Sequence, residues 1–174
     1  MSSATSTPDD PVPWLSSEEL QAWMALTAML MTLPAAIDAQ LKRDSGLNFF
    51  EYSILVALAR PSDKKLKMST LAQLAGGSLS RLSHAVTRLE RQGWVRRRAQ
   101  TGESRCIEAI LTDEGMAALV AAAPGHVREA RRLVFESMTP AQVRQLQRVC
   151  RQIVDVAAPG TGPLLDRAVE ESAG

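Results

Sequence analysis

One short segment, residues 78–92, spaces its polar side chains so that they share one face of a helix. Each residue of an α-helix turns about 100° around the axis, and this rotation separates polar from apolar positions. The polar face carries no acid and consists of Ser80, Arg81, His84, Thr87, Arg88 and Arg91. Hydroxyls and arginines hydrogen-bond to base edges and phosphates, whereas carboxylates are repelled by a duplex. The face therefore has the chemistry of a surface that binds double-stranded DNA.

The opposite side of the same helix is apolar. With Leu79 set at zero degrees, Leu82, Val86 and Leu89 fall within about 80° of it, so we expect all four side chains to pack inward. Gly93 is expected to end the helix. The alternative interpretation of the polar side is an ordinary solvated helix face, because exposed helices are commonly charged.

The elements on either side of this helix would position it. A short helix, TLAQLA, precedes it, with Thr70 and Gln73 at capping-box spacing and a glycine pair, 76–77, at its end. It is followed by WVRRRA and RCIEAIL, two runs separated by the glycine-bearing stretch QTGES, which predicts a β-hairpin. Helix, tight turn, basic helix and hairpin, in that order, are typical of a helix-turn-helix with a wing.

Positive charge is concentrated in this region. Residues 64–105 hold ten lysines or arginines and two acids, although the net charge of the whole 174-residue chain is +1. The hairpin alone contributes Arg96, Arg97, Arg98 and Arg105, and we assign Arg97 to the DNA-binding set. The segment SDKKLK before the short helix is expected to be a basic loop.

The tip of the hairpin is expected to carry a further DNA contact. Arg105 can reach a minor groove, where narrow A·T-rich stretches concentrate negative potential, and Glu103 can hold its guanidinium in position. The alternative interpretation of Glu103 and Arg105 is a surface ion pair worth at most about 1 kcal/mol.

Long helices are predicted before and after the basic region. Ser16 and Glu19 have capping-box spacing at the start of a long amphipathic helix, in which Pro34 predicts a kink or a break near Leu33. A second helix is predicted over residues 48–59. After the hairpin, Thr112 opens an alanine-rich segment.

The second half of the chain leaves one alternative open. Pro124 and Gly125 interrupt the alanine-rich segment, which predicts either one kinked helix or two. The sequence Thr139-Pro140-Ala141-Gln142 then supplies a cap, a proline at the first helical position and a glutamine at the third, and predicts a last helix.

Other classes of function find little support in the sequence. It contains two histidines, His84 and His126, and no HExxH, GxSxG or phosphate-binding Gly-rich motif, so we expect no catalytic site. The two cysteines, Cys106 and Cys150, lie outside any metal-ligand pattern and are expected to be reduced thiols, with no metal or cofactor. We see no secretory signal and no apolar run long enough to span a membrane, which favours a cytoplasmic protein.

The sequence resembles the MarR family of transcription regulators in three segments that occur in the family's order. They are GLNFFEYSILVALA (46–59), MSTLAQLAGGSLSRLSHAVTRLERQGWVRR (68–97) and ESRCIEAILTDEG (103–115). By this likeness, Ser78, Ser80, Arg81 and His84 fall on the family's major-groove positions. The same likeness puts Arg88 near the phosphates and Arg105 on the wing arginine. The family more usually has Asp where Glu103 stands, and Ser104 replaces a second charged residue.

The resemblance implies a mainly α fold with a small β-hairpin wing, a winged helix-turn-helix held between N- and C-terminal dimerisation helices. We expect a flexible arm (1–13), dimerisation helices (14–47 and 112–157), a DNA-binding domain (48–111) and a tail (158–174). The long apolar faces of the terminal helices also favour a two-fold homodimer, which would bind a palindromic operator.

The resemblance further implies a repressor released by a small aromatic or phenolic ligand. The residues expected to line such a site are Trp23, Phe49, Phe50 and Tyr52, and plain core packing is their alternative. Two other functions remain open: a winged helix that contacts proteins, and an oxidant sensor that acts through Cys106.

Overall fold

The computed structural model describes residues 12–99, 106–163 and 166. In chain order the elements are α1 (Ser17–Ser45), α2 (Phe49–Ala59), β1 (Lys65–Lys67), α3 (Met68–Leu74), α4 (Leu79–Arg91), β2 (Val95–Ala99), β3 (Ile107–Leu111), α5 (Asp113–Ala130), a π-helical turn (Arg131–Phe135) and α6 (Pro140–Ala157). The chain divides into two compact units, one ending at Ala35 and the other beginning at Ala36. The helical content and the small sheet match the fold class expected from the sequence.

The long helix α1 begins as predicted but is not broken. The Ser16 backbone N–H donates to Glu19 Oε2 at 2.8 Å, and the Glu19 N–H donates to Ser16 Oγ at 3.3 Å, which confirms the cap. The helix continues through Pro34 to Ser45, so the break considered near Leu33 is absent. A proline removes one backbone hydrogen bond, and the turns on either side keep theirs.

An unbroken α1 also corrects the expectation that no segment is long and apolar enough to span a membrane. By length and composition alone, Ser17–Ser45 satisfies that criterion, as core helices of globular proteins also do. Within the unit that ends at Ala35, five large apolar side chains of this helix are at least half exposed: Leu20, Trp23, Met24, Leu30 and Met31.

The helix α2 lies at the centre of the core. Its start is fixed by a capping box, in which Asn48 Oδ1 accepts from the Glu51 N–H at 2.8 Å and Glu51 Oε2 accepts from the Asn48 N–H at 3.0 Å. Ile54, Leu55 and Leu58 are fully buried. The helix contacts α3, α4 and α5 and the strands β1 and β3.

The sheet has three antiparallel strands in the order β1-β3-β2, one more strand than the predicted hairpin. The loop expected at SDKKLK contains β1, in which Leu66 pairs with Ala109. On the other side of β3, Arg97 pairs with the same Ala109. A three-residue strand has almost no pattern of its own, because its stability comes from pairing with the edge of β3.

The helix α3 begins earlier than predicted. Its N-cap is Lys67, whose side chain makes no capping bond, and the cap expected at Thr70 is wrong. Thr70 lies inside the first turn because Met68 and Leu71 are both buried, and burying Met68 requires the helix to begin directly after β1.

The helix α4 matches its predicted limits, with Ser78 as N-cap and Gly93, at a φ of +75°, just after its C-cap. Leu82, Val86 and Leu89 are buried as expected, but Leu79 is 56% exposed and Ala85 is buried in its place. The centre of the buried stripe lies between Leu82 and Leu89, which places Leu79 about 70° away on the helical wheel, in the first turn.

The last two helices follow the predicted signals. Thr112 caps α5 by accepting from the Gly115 N–H at 3.0 Å, and α5 continues through Pro124 as one helix. A side chain at Gly115 would collide with the carbonyl oxygen of Trp94, so only glycine fits there. Thr139 and Gln142 form the predicted capping box of α6, with Pro140 at its first position.

Candidate nucleic-acid interface

The polar face of α4 is open to solvent. Ser78, Ser80, Arg81, His84, Arg88 and Arg91 are all exposed, whereas Thr87 is half-buried. Ser78 Oγ accepts from the Arg81 N–H at 3.2 Å and so fixes the start of the helix. Except for Thr87, the side chains that sequence analysis placed on this face are therefore available to a partner.

Arg81 rests on an aromatic ring of α2. Its guanidinium carbon lies 4.2 Å from the centroid of Phe50, which is 9% exposed. A side chain at Gly77 would approach Phe50 Cζ to 2.6 Å, so the turn before α4 leaves room for the ring. A cation over an aromatic face is attracted to it and keeps its charge. Phe50 thus supports Arg81, which remains exposed to solvent.

Arg88 is paired with an acid that the sequence did not suggest. Its Nε donates to Glu51 Oε1 at 2.6 Å; the Arg88 side chain is 54% exposed, that of Glu51 only 9%. The two residues are 37 positions apart, and no local pattern connects them. Since a buried carboxylate offsets much of the guanidinium charge, Arg88 offers a phosphate less than an unpaired arginine would.

Arg97 and Thr87 are hydrogen-bonded to each other. Arg97 Nη2 donates to Thr87 Oγ1 at 2.6 Å, and its Nε and backbone N–H both donate to Glu90, each at 2.8 Å. The hydrogen bonds from Arg97 lower the pKa of Glu90 from its ordinary value. These bonds tie β2 to the C-terminal half of α4. The sequence predicts DNA contacts for Thr87 and Arg97 and no role for Glu90. Direct contact of Thr87 and Arg97 with DNA stays a prediction.

The strands of the hairpin are described, but its tip is not. Glu103 and Arg105 lie outside the described residues. Arg98 Nη2 is 3.1 Å from Oε2 of the buried Glu108, while Arg96 is exposed. Cys106 is half-buried just before β3. The predicted minor-groove contact of the wing therefore stays a prediction.

The aromatic residues proposed to line a ligand site do not form one group. Tyr52 and Phe49 pack against His126 of α5, with ring centroids 4.5 Å and 6.2 Å from the imidazole. Phe50 points instead to Arg81. Trp23 belongs to the N-terminal unit and is 55% exposed.

His126 was not singled out by the sequence as a partner of these rings. Burial lowers its pKa, and its buried Nδ1 has no hydrogen-bond partner among the described residues. The same part of the chain shows no cluster of three or more His, Cys, Asp or Glu arranged as metal ligands.

Two solved structures resemble the chain over most of its length. Sco3205, a MarR family transcriptional regulator from Streptomyces coelicolor in complex with DNA, is 40% identical, with a TM-score of 0.81 over 88% of this chain and 95% of that one. AbsC, a MarR family transcriptional regulator from the same organism, is 30% identical, with a TM-score of 0.78 over 84% and 98%.

Two more distant proteins also match the chain. CouR from Rhodococcus jostii RHA1, bound to p-coumaroyl-CoA, is 22% identical, with a TM-score of 0.67 over 79% of this chain and 92% of that one. The transcriptional repressor MprA of Escherichia coli K12 is 23% identical over 109 residues, which are 63% of this chain and 61% of the repressor. No protein-family model matches the sequence. The 40% identity and near-complete overlap with Sco3205 settle the family: the chain is a MarR family transcriptional regulator.

Proposed function

We propose that this regulator reads double-stranded DNA with the exposed face of α4. The observation that carries the proposal is an acid-free face on which Ser80, Arg81 and His84 are exposed together and Arg81 is held over Phe50. A side chain already fixed in its binding pose loses less entropy when it binds. Sco3205, the 40% identical relative, was crystallised with DNA.

We propose that two copies act together on a palindromic operator. Helices at both ends of the chain expose large apolar side chains, including Trp23 and Met24 on α1 and Ile153 and Val156 on α6. Exposed apolar surface of this extent is typical of protein interfaces. In this proposal residues 14–47 and 112–157 pair the subunits, and residues 48–111 bind DNA.

Repression and release by a small aromatic or phenolic ligand form the finer part of the proposal. MprA is a repressor by name, and CouR binds p-coumaroyl-CoA. In this chain Phe49 and Tyr52 with His126 offer aromatic surface between α2 and α5, and Trp23 is exposed on α1. Phe50 is the fourth residue proposed for the ligand site, and its ring lies under Arg81. Oxidation of Cys106, at the base of the hairpin, is the second route to release.

The remaining parts of the proposal are negative. We propose a cytoplasmic protein without catalytic activity, cofactor or metal, because Sco3205 and AbsC, to which the chain is similar, are transcription regulators. A winged helix that contacts another protein is the competing function, and its binding would not show the counterion release of a DNA complex.

The deciding experiment is a salt series on DNA from upstream of the chain's own gene. We expect DNA affinity to fall steeply as salt is added. In a plot of the logarithm of the association constant against the logarithm of the salt concentration, the slope should be near −0.9 for each neutralised phosphate. Footprinting should show two protected half-sites about one helical turn apart. A flat salt response would favour the protein-contact function, and repeating the series with aromatic acids and with peroxide would separate the two routes to release.

A further inference from the structure

One face of the three-stranded sheet carries four basic side chains. Residues directly opposite each other on paired strands point to the same face of a sheet, and successive residues of a strand alternate between the two faces. The register of β1, β3 and β2 gives two rows on this face: Lys65, Ile110, Arg96 and Lys67, Glu108, Arg98. The four cations all lie on the two edge strands, and we name them the basic sheet face.

The basic sheet face points away from α4. Arg97 directs its side chain to Glu90 of α4, with its Nε 2.8 Å from Glu90 Oε2. Because side chains alternate along a strand, Arg96 and Arg98 point to the opposite side of the sheet. The bond of 3.1 Å from Arg98 Nη2 to Glu108 Oε2 agrees with this placement, since the two residues are opposite each other in the register. The basic sheet face is therefore a second surface beside α4, distinct from the polar face of that helix.

The positive charge of this face is only partly offset. Two ion pairs, each 3.1 Å long, lie on or beside it: Lys65 with Asp63 and Arg98 with Glu108. Lys67 and Arg96 are exposed, and in the part of the chain that the structure describes neither has a carboxylate within ion-pair distance. Glu108 is 5% exposed, so it presents almost no negative surface to a partner. A partner that approaches this face meets mainly cations.

We propose that the basic sheet face binds the phosphate backbone of the DNA that flanks each half-site of the operator. This inference rests on the proposed reading of DNA by α4. Lysine and arginine neutralise phosphates without reading the base sequence. Because Arg97 joins β2 to α4, a duplex bound by α4 holds its own flank at high effective concentration near the sheet. A second copy of the chain would bring like charges together on this face, which is unfavourable.

The test compares binding of the full chain to two duplexes that carry the footprinted operator. The short duplex ends at the outer edges of the half-sites, and the long one adds about ten base pairs of unrelated sequence, roughly one helical turn, at each end. At about 0.1 M salt we expect the long duplex to bind about tenfold or more tightly, with a salt slope steeper by about 0.9 for each additional phosphate neutralised. Equal affinities and equal slopes for the two duplexes would overturn the proposal.

The short duplex separates this proposal from the one on which it rests. Its binding, with a steep salt dependence, tests the reading of DNA by α4 alone. If the short duplex binds and the flanks add nothing, only the flank contact fails. If neither duplex binds, the function proposed for α4 fails as well.

Variants of the two unpaired cations assign the effect to this face. Lys67→Gln with Arg96→Gln removes both charges and keeps long polar side chains, and it should abolish most of the gain from the flanks. Lys67→Arg with Arg96→Lys keeps the charges and should keep the gain. The matched control, Arg144→Gln with Arg148→Gln, removes two exposed charges from α6 and should also keep the gain.

Two outcomes of the variant experiment contradict the flank contact. If the double glutamine variant of Lys67 and Arg96 keeps the full gain, DNA is not the partner of this face, and an acidic protein surface becomes the better candidate. If the variant loses affinity equally for the short and the long duplex, the two residues act within the half-site or on the fold. Should that variant fail to fold, Arg96→Gln alone must still remove part of the gain.

Discussion

At the scale of residues, side chains of α2 contact two arginines of α4, the helix proposed to read DNA. Phe50 lies under Arg81, and Glu51 binds Arg88. These two supports are consecutive in sequence, so one turn of a central helix fixes both ends of the polar face of α4. The sequence placed the arginines on one face, but it gave no sign that one would be stacked and the other paired.

Replacing Phe50 should weaken cognate DNA binding without changing the charge of the protein. We expect Phe50→Leu and Arg81→Ala each to weaken the free energy of binding to operator DNA by about 1–3 kcal/mol. The double variant should cost less than the sum, because each change removes the same interaction. Binding isotherms of the four proteins measure the coupling. Full additivity would show that Phe50 does not act through Arg81.

Glu51→Gln should strengthen non-specific DNA binding. The substitution leaves the charge of Arg88 without its partner, and we expect the salt slope to steepen by about 0.9, the value for one additional phosphate. The matched control is Glu114→Gln, which changes the net charge equally at an exposed position of α5. An equal rise in both slopes would mean that net charge, and not Arg88, is responsible.

At the scale of elements, the hairpin is attached to α4 through Arg97. This side chain binds Glu90 and Thr87 on the helix while its backbone pairs with β3. From the sequence, Arg97 was assigned to the DNA-binding set, and nothing indicated that it binds α4. Its partners come together because a helix and the following strand pack side by side, which is a tertiary event.

Arg97→Ala should mainly lower the stability of the fold, and not DNA binding by charge. We expect the free energy of unfolding to fall by about 1–3 kcal/mol, since the hydrogen bonds involve a charged group and lie in a half-buried site. Urea unfolding measures the loss, and Arg96→Ala, an exposed neighbour on β2, provides the control. Comparable losses of stability in the two variants would show that the hydrogen bonds from Arg97 to α4 do not stabilise the fold.

The packing of α5 on α2 should make stability depend on pH. Burial lowers the pKa of His126, so the unfolded chain takes up a proton more readily than the folded one. Stability is therefore constant above the ordinary histidine pKa of about 6.5 and falls as pH decreases through it. Unfolding at pH 8 and pH 5 should show this loss, and His126→Gln should reduce it. An unchanged pH dependence in the variant would assign the effect elsewhere.

At the scale of the whole molecule, the exposed apolar helix faces are the reason for proposing that two copies pair. We expect Trp23→Glu to shift the protein from dimer to monomer, because burying a charge in an apolar interface is unfavourable. Sedimentation analysis measures the change. Gln21→Glu introduces the same charge on a polar position of the same helix and should leave the dimer intact. A monomeric wild type would contradict the two-copy arrangement.

The sequence by itself determined the elements whose signals are local. The caps at Ser16, Thr112 and Thr139, the glycine after α4 and the apolar stripe of Leu82, Val86 and Leu89 were readable because each depends on residues a few positions apart.

Tertiary structure alone decided the rest. The strand β1 exists because β3 offers an edge, and Leu79 is exposed because the buried stripe is centred elsewhere. The pairs Arg81 with Phe50, Arg88 with Glu51 and Arg97 with Glu90 join separate elements. Such contacts depend on how helices and strands pack in space, and the spacing of residues along one helix does not predict that packing.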